Sequence, residues 1–312
     1  MRSIHTAVVT GPTGAIGHAL CARLLQKGVT VYAVCRPGSL RAPALQELNG
    51  INLLYCDTSE LGQLPTLLPI SADAFFHLAW IRSDNAGRND LDAQVRNIQY
   101  TLDACRAAVA LGCQVFVGAG SQAEYGKTDQ VLTPETPCFP EIAYGMAKLC
   151  AGQVSRLECR KSGLAHIWPR ILSVYGPYTG NDSVIMSTIR ILLSGGKPAL
   201  TAGEQLWDYL YCEDAAEALY RMALYGRNNA VYPLGFGHSR PMREYAEILR
   251  DAVDPALPLG LGEVPYSAGQ RMRLEADLRS LREDTGFVPK VLFQDGIKKT
   301  VDWMRNQEGS NP

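Results

Sequence analysis

The chain lacks an excess of charge of either sign, a long apolar run and any paired-cysteine motif. Its 312 residues include 30 lysines and arginines and 31 aspartates and glutamates, which leaves a formal net charge of −1. This balance argues against a nucleic-acid-binding protein, and no apolar run approaches the roughly 20 residues of a membrane span. The nine cysteines show no CxxC or paired-histidine spacing, so we predict no metal site.

The remaining composition is typical of a soluble globular protein. Hydrophobic residues make up 46% of the chain, and the length is enough for one large domain or two unequal ones. Residues 1–5 lead directly into an apolar run, which leaves no room for a signal peptide. Cys21, Cys105 and Cys150 lie in apolar helical patterns, where a reduced cysteine packs as a small hydrophobic residue. We therefore expect a cytoplasmic protein that binds neither membranes nor nucleic acids.

A glycine-rich turn lies between the first predicted strand and the first predicted helix. It reads TGPTGAIG at residues 10–17, after the apolar run at 7–9. This is the context that a dinucleotide fingerprint requires. In such a turn Gly11 permits the tight bend, Gly14 lets the backbone approach a pyrophosphate, and Gly17 lets the helix pack on the strand. The N-terminus of the helix that follows attracts the anion.

Strand-like and helix-like segments alternate through the first half of the chain. After the glycine turn, strand-length apolar runs stand at residues 29–34, 51–55, 74–78, 114–117 and 165–171. With helical patterns between them, these runs predict an α/β fold with a Rossmann-type, doubly wound parallel sheet. Ligands of such sheets bind at the carboxyl ends of the strands. That edge would carry the glycine turn, Asp57, the HLAW segment at 77–80 and Ser121.

Loop-rich segments with proline and glycine replace the regular alternation after about residue 173. We predict an NADP-binding Rossmann domain over residues 1–173, to which residues 207–235 return. Residues 174–312 would form a smaller, mainly substrate-binding region, and residues 307–312 are expected to fray.

Tyr144 and Lys148 lie four residues apart in a helix predicted to continue to about residue 161, with Ser121 upstream. That spacing places the two side chains on one helical face. A positive charge beside a tyrosine lowers the phenol pKa from about 10 toward neutrality. A tyrosine tuned in this way can give or take a proton at physiological pH.

The ordered set of motifs resembles the extended short-chain dehydrogenase/reductase superfamily, in its nucleotide-sugar epimerase/dehydratase branch. The resemblance covers nearly the whole chain, from TGPTGAIG and HLAW to the YxxxK pair and the WDY segment at 207–209. It implies that Tyr144 is the general acid/base. Lys148 would lower its pKa and hold the nicotinamide ribose, while Ser121 would hydrogen-bond the substrate oxygen. It further implies a homodimer formed by the helices around 93–112 and 145–160.

The resemblance also implies two sets of contacts. Those to the cofactor are Gly11, Thr13, Gly14, Ala15, Ile16, Gly17, Arg36, Ser39, Asp57, Thr58, Leu78, Ala79, Asn97, Tyr144 and Lys148. Those to the substrate are Trp80, Gln122, Glu124, Trp207 and Arg271. Asp57 would lie beside the adenine and Asn97 would brace the active-site region. Simpler roles stay open, because Ser121 could satisfy a loop amide, Asp57 could form a turn and Trp207 could be a core residue.

The end of the second predicted strand favours NADP(H) over NAD(H). An NAD-selective fold carries there an acid that binds the ribose 2′-hydroxyl, whereas this chain has Cys35 followed by Arg36. An arginine can pair with a 2′-phosphate bidentately. Ser39 could add a hydroxyl, and Arg41 is a weaker candidate. We therefore expect NADP(H), with NAD(H) as the alternative.

The residues after Ser121 restrict the reaction. Dehydratases of the family place an aspartate and a glutamate there, whereas this chain has Gln122 and Ala123, so sugar dehydration is disfavoured. We predict an NADPH-dependent 4-ketoreductase acting on a nucleotide sugar, with a nucleotide-sugar 4-epimerase as the alternative. Trp207 stands where the family has an arginine for the diphosphate. A ketoreductase acting on a non-nucleotide carbonyl compound, or a non-catalytic dinucleotide sensor, therefore also stays open.

Overall fold

A computed structural model of the chain describes residues 1–308, in which fourteen strands and ten α-helices alternate. The strands are β1 (Thr6–Thr10), β2 (Thr30–Cys35), β3 (Asn52–Tyr55), β4 (Ala74–His77), β5 (Val115–Gly118), β6 (Gly120–Ser121), β7 (Ala165–Ile171), β8 (Ser173–Tyr175), β9 (Ala199–Leu200), β10 (Leu206–Trp207), β11 (Tyr209–Tyr211), β12 (Ala230–Leu234), β13 (Arg240–Pro241) and β14 (Gly260–Leu261). The helices are α1 (Ala15–Gln26), α2 (Ala42–Gln46), α3 (Leu64–Leu67), α4 (Leu91–Ala110), α5 (Ala143–Lys161), α6 (Val184–Leu193), α7 (Cys212–Tyr225), α8 (Met242–Val253), α9 (Arg279–Thr285) and α10 (Phe293–Glu308). Short 3₁₀ helices cover Thr58–Gln63 and Gln122–Tyr125.

The main sheet has the order β12-β7-β5-β4-β1-β2-β3, with β6 also pairing with β7, and its strands pair in parallel. Its central strands are apolar throughout because helices cover both faces. The side chains of β4 and β5 are wholly buried. This arrangement confirms the α/β fold with a Rossmann-type parallel sheet.

Alternate side chains of the central strands enter two different cores. Ala7 and Val9 of β1 pack in the cluster that includes α1 and α7, whereas Val8 packs in the cluster that includes α4. The helix α5 lies along α4 on this second side. The sheet is thereby held rigidly between two helical layers, and its carboxyl edge stays open for loops.

The later part of the chain adds a third, aromatic core and a return to the sheet. Tyr175, Tyr211, Tyr245 and Phe293 pack together between α6, α8 and α10. β12 lies beside β7 at the edge of the main sheet, and α7 packs on α1. Residues from beyond position 207 therefore complete the sheet that the first half begins.

Two sequence expectations differ from the structure. Cys150, expected in an apolar helical pattern, is exposed on α5. Fraying was expected from residue 307, whereas α10 continues to Glu308. The rest of the expected tail, residues 309–312, lies outside the described residues. Among residues 1–308, no helix combines the length and apolarity needed to cross a membrane, and no histidine, cysteine and carboxylate cluster could hold a metal.

Candidate active site

The loops after β1 and β4 are in direct contact at the carboxyl edge of the sheet. Gly11 has a φ of +68°, and a Cβ on it would lie 2.7 Å from the amide nitrogen of Ala79. The Leu78 amide donates to the Thr10 carbonyl (3.2 Å) and the Ala79 amide to the Thr10 hydroxyl (3.3 Å). Glycine is therefore required at position 11 for two reasons: the backbone there is left-handed, and a side chain would prevent the close approach of the two loops.

The first turn of α1 fits a dinucleotide pyrophosphate. Gly14 is the N-cap residue and no side chain caps the helix. A Cβ on Gly14 would meet nothing closer than 3.9 Å, whereas one on Gly17 would collide with the Gly11 carbonyl. Backbone N–H groups at an open helix N-terminus bind anions. The neighbouring Thr13, Ala15 and Ile16 belong to the same turn, and their cofactor contacts stay predictions.

Arg36 and Asp57 lie at the ends of two adjacent strands. Cys35 ends β2 and is buried, its thiol facing Ser39, while Arg36 is exposed. Asp57 accepts hydrogen bonds from the Ser59 amide (3.0 Å) and hydroxyl (2.7 Å) at the start of the 3₁₀ helix that contains Thr58. These bonds lower the pKa of Asp57, and the charge of Arg36 lowers it further. Asp57 thus caps a turn, and its place beside the adenine stays a prediction.

The loop between β4 and α4 caps the start of α5. The Asn89 side chain accepts from the Ala143 amide (3.1 Å), and the Arg88 carbonyl accepts from the Tyr144 amide (2.9 Å). Helix N-termini have unsatisfied N–H groups, and here a distant loop satisfies them. Tyr144 is therefore presented at the first turn of α5, where the phenol meets the Ser121 hydroxyl. Ser121 also accepts from the Ala123 amide (3.1 Å).

The expected effect of Lys148 on Tyr144 stays a prediction, and the Lys148 ammonium lies 5.7 Å from the centre of the Tyr144 ring. Burial raises the pKa of Tyr144; the hydrogen bond of Ser121 and the charge of Arg88 lower it, and Glu124 raises it. The Lys148 ammonium donates to the Ala119 carbonyl (2.7 Å) and lies 3.6 Å from the centre of the Trp80 ring. Burial also lowers the pKa of Lys148 itself to about 7, so its own charge is weakened at neutral pH.

Trp80 and Asn97 organise the loop above Lys148. The Trp80 ring meets Tyr144 edge-on at 6.0 Å, and its indole donates to Gln94 (2.8 Å). Asn97 is 1% exposed, and its amide bonds both the N–H and the carbonyl of Ile81 at 3.0 Å. Asn97 thus braces the loop, as the resemblance implied, while its contact with the cofactor stays a prediction.

Glu124 was assigned to the substrate, and the structure contradicts this. Its side chain is fully buried and accepts from the Ser121 amide (2.8 Å), the Trp168 indole (3.0 Å) and the Arg170 guanidinium (2.7 Å). A buried carboxylate requires such partners because desolvation of a charge is costly. Glu124 therefore holds the Ser121 turn against β7 and cannot reach a ligand.

The substrate candidates of the C-terminal region, Arg271 and Trp207, already have hydrogen-bond partners. Arg271 donates to the Gln122 side chain (2.6 Å) and to the Gly126 carbonyl. Trp207 is partly buried, and its indole donates to the Ser173 hydroxyl (2.8 Å). The Trp207 N–H is therefore already used, which leaves only its ring for a ligand. Gln122 directly follows Ser121 in the chain, so the Arg271 guanidinium contacts the turn that carries Ser121.

Sequence reasoning missed Arg88, Asn89 and Arg170. Arg88 and Asn89 lie in a loop without periodicity, and no local pattern marks them. Arg170 was marked by a usable signal, since it is a charge inside the buried strand AHIWPRI. A buried arginine needs an anionic partner, and Glu124 is the acid next to Ser121.

One comparison decides the family. A model described as the NAD dependent epimerase/dehydratase family matches residues 7–235. The chain belongs to this family. It is thus an NAD(P)-dependent enzyme of the extended short-chain dehydrogenase/reductase type, which confirms the resemblance.

Relatives of this family member differ in their activities. The dTDP-glucose 4,6-dehydratase of Neisseria gonorrhoeae is 28% identical over 95% of this chain and 94% of its own length. That of Escherichia coli K12 is 28% identical over 58% of this chain and 52% of its own. The structure of UDP-glucose 4-epimerase from Thermotoga maritima has a TM-score of 0.84, 23% identity and coverage of 97% and 99%. That of RMD from Pseudomonas aeruginosa with NADPH has a TM-score of 0.81, 22% identity and coverage of 97% and 99%. At these identities the two structures show a shared fold.

We expect the buried ion pair to show strong coupling. Arg170→Met leaves the Glu124 carboxylate buried without its cation, which should cost about 3–5 kcal/mol of the free energy of unfolding. Glu124→Gln in the same chain removes that charge and keeps an oxygen for Ser121 and Trp168, so the double variant should be more stable than Arg170→Met alone. Chemical denaturation of the two singles and the double measures this. Simple addition of the two single losses would contradict the coupling.

We also expect Lys148→Met to stabilise the fold at neutral pH. The pKa of Lys148 is about 7 in the folded protein, against a model-compound 10.5, so the unfolded chain binds more protons between these values. Wild-type stability should therefore rise with pH across this window. The gain from Lys148→Met should be about 1–3 kcal/mol near pH 7, after the loss of the Ala119 and Trp80 contacts, and should vanish toward about pH 10.

Thermal unfolding at the two pH values measures this effect. Lys161→Met is the matched control, because Lys161 ends the same helix and its side chain is 75% exposed. Equal changes in Lys148→Met and Lys161→Met, or a loss of stability in Lys148→Met that does not depend on pH, would show that Lys148 carries no burial penalty.

Proposed function

We propose that the protein reduces a keto group on a nucleotide sugar with NADPH, as a 4-ketoreductase. The observation that carries this proposal is the position of the Tyr144 phenol at the first turn of α5, beside the Ser121 hydroxyl at the carboxyl edge of the sheet. A protonated phenol at this place can donate a proton to the substrate oxygen, and the neighbouring hydroxyl can stabilise that oxygen while it carries negative charge. No group beside them is suited to eliminate water.

The chemistry assigned to each side chain follows from its protonation. The dinucleotide, when bound, supplies the hydride. Burial raises the pKa of Tyr144, so the phenol is protonated at neutral pH and can donate its proton to the oxygen that the hydride transfer leaves charged. Ser121 accepts from the Ala123 amide, so its own proton is available to the same oxygen. The buried Lys148 lies one turn further along α5 and can bind the ribose.

Dehydration is a poor fit to this site, although curated relatives are dehydratases. Gln122 and Ala123 follow Ser121, and neither can exchange a proton at neutral pH. Glu124, the acid on the same turn as Ser121, is buried in its ion pair with Arg170. A dehydratase needs an acid and a base beside the hydroxyl to remove water from neighbouring carbons. The site therefore favours transfer of hydride alone.

The cofactor assignment is supported at the end of β2. Arg36 is exposed there and Cys35 is buried, so no acid is available to bind a ribose 2′-hydroxyl. An arginine binds a phosphate bidentately. NADP(H) is the cofactor we propose, with Ser39 as a second contact and NAD(H) as the alternative.

An apolar cavity supports a nucleotide-linked substrate. It has a volume of about 270 Å³ and lies between α6, α8 and β9, where Tyr209, Tyr245, Gln205 and Gln270 line it. Arg271 follows Gln270 and reaches Gln122. A flat base held in the cavity would place its phosphates near the Arg271 guanidinium. A carbonyl substrate without a nucleotide would leave this cavity unused.

A 4-epimerase is the second candidate, because a tyrosine that returns a proton can also remove one. The likeness of the fold to 4-epimerase structures is compatible with it. An epimerase keeps its cofactor through the reaction and consumes none, which separates it from a reductase. A dinucleotide sensor without catalysis would not need Tyr144.

Two properties of the whole protein complete the proposal. We propose a homodimer through α4 and α5, because Val95, Val109, Met146 and Leu157 expose apolar side chains there. We also propose a cytoplasmic location, because all nine cysteines are free thiols.

Turnover on UDP- and dTDP-linked 4-keto sugars tests the reaction. We expect NADPH to be consumed stoichiometrically with the keto sugar, and Tyr144→Phe to lower kcat by about a hundredfold or more because the proton donor is lost. Loss of NADPH absorbance measures this. Conversion of UDP-glucose to UDP-galactose by an enzyme with tightly held NAD, and without net cofactor consumption, would establish the epimerase instead.

The role of Arg36 is tested by its removal. Arg36→Ala should weaken NADPH binding by about tenfold or more and leave NADH binding nearly unchanged, because only the 2′-phosphate is lost as a partner. Arg160→Ala is the control, since Arg160 is an exposed arginine in the last turn of α5, away from the carboxyl edge of the sheet. Calorimetric titration of both cofactors measures the affinities. Unchanged ratios of the two affinities in Arg36→Ala would exclude NADP selectivity through Arg36.

A further inference from the structure

The loop over residues 81–90 is held firmly against the start of α5. The Gln94 side chain donates to the Arg82 and Gly87 carbonyls, each at 3.0 Å. The Asp84 side chain accepts from the Gly87 amide at 2.9 Å. The next two residues, Arg88 and Asn89, provide the caps of α5 described above. The position of Arg88 is therefore determined by the loop rather than by its own flexibility.

The Arg88 side chain turns toward the reacting tyrosine. Its guanidinium carbon lies 5.3 Å from the centre of the Tyr144 ring, and its Nε donates to the Ser83 carbonyl (3.3 Å). Arg82, the other arginine of the loop, instead lies 3.7 Å from the Asp90 carboxylate. A cation within about 6 Å of an aromatic centre interacts with that ring.

The other groups around Tyr144 do not supply a comparable permanent charge. Glu124 is negative and opposes the phenolate, Ser121 and Trp80 are neutral, and Lys148 is 5.7 Å from the ring centre. Burial lowers the pKa of Lys148 to about 7, so part of its population is neutral at neutral pH. An arginine keeps its charge throughout the working range of an enzyme.

We propose that Arg88 is a positioning residue for Tyr144: it supports the start of α5 through its backbone and stabilises the phenolate through its guanidinium. This rests on the proposed function in so far as Tyr144 is the proton carrier of that reaction. Arg88 thereby sets how readily the same tyrosine works as a base for alcohol oxidation and as an acid for ketone reduction.

Ultraviolet phenolate absorption tests the proposal without a substrate. The difference between each protein and its Tyr144→Phe counterpart isolates Tyr144 from the other tyrosines. At a fixed alkaline pH at which circular dichroism shows an intact fold, Arg88→Met should lower the ionised fraction of Tyr144 by about two- to fivefold. Arg88→Lys should restore part of it. If Arg88→Met does not fold, Arg88→Gln removes the charge and keeps a donor for the Ser83 carbonyl.

Arg82→Met is the matched control, and it should leave the ionised fraction unchanged. The proposal is overturned if Arg88→Met has no effect, if Arg82→Met has the same effect, or if wild-type Tyr144 yields no phenolate while the fold is intact. Where turnover is measured, the oxidation rate at neutral pH should fall about two- to fivefold in Arg88→Met and the reduction rate less. A shifted titration in a protein without ketoreductase activity would support Arg88 and reject the proposed function.

Discussion

The buried ion pair between Glu124 and Arg170 is the interaction on which the active site depends. It joins the turn that carries Ser121 to the C-terminal end of β7, and the same carboxylate accepts hydrogen bonds from the Ser121 amide and the Trp168 indole. Burial has the largest effect on the pKa values of Tyr144, which it raises, and of Lys148, which it lowers. The negative charge of Glu124 acts on both groups as well, and in each case it raises the pKa. Glu124 therefore determines where the hydroxyl stands and what charge surrounds the phenol. A charge so fully desolvated is stable only because each of its neighbours donates to it.

Local patterns in the sequence predicted the parts of the fold that depend on local physics. The strand at 165–171 and the helix end at Lys161 agree with the structure, because a buried parallel strand is mainly apolar and a helix repeats its apolar face. The glycine turn was equally readable, since Gly11 and Gly17 are required by backbone contacts within a few residues. Ser121 ends β6 at the carboxyl edge that parallel strands share, and Tyr144 and Lys148 lie one turn apart on α5, as their four-residue spacing predicts.

The assignments that the structure changed depend on distant partners. Glu124 was expected to contact the substrate, whereas its side chain is held by Arg170, which lies 46 residues further along the chain. The Lys148 ammonium likewise has two partners that no local pattern marks, the Ala119 carbonyl and the Trp80 face. No spacing rule describes these choices, since each is a competition among groups that only the folded chain brings together. Burial decided both, because it determines which charges must find partners.

The same contacts link the two halves of the protein around one point. Arg271 from the C-terminal region bonds Gln122, the residue after Ser121, while Trp207 bonds Ser173 at the start of β8. A substrate that binds beside Gln122 would compete with the amide oxygen of Gln122 for the Arg271 guanidinium. Groups that can replace the amide oxygen of Gln122 as a partner for Arg271 are anionic or carbonyl oxygens. We therefore expect this position to favour substrates with an oxygen-rich group near the reacting carbon, whichever direction the hydride moves.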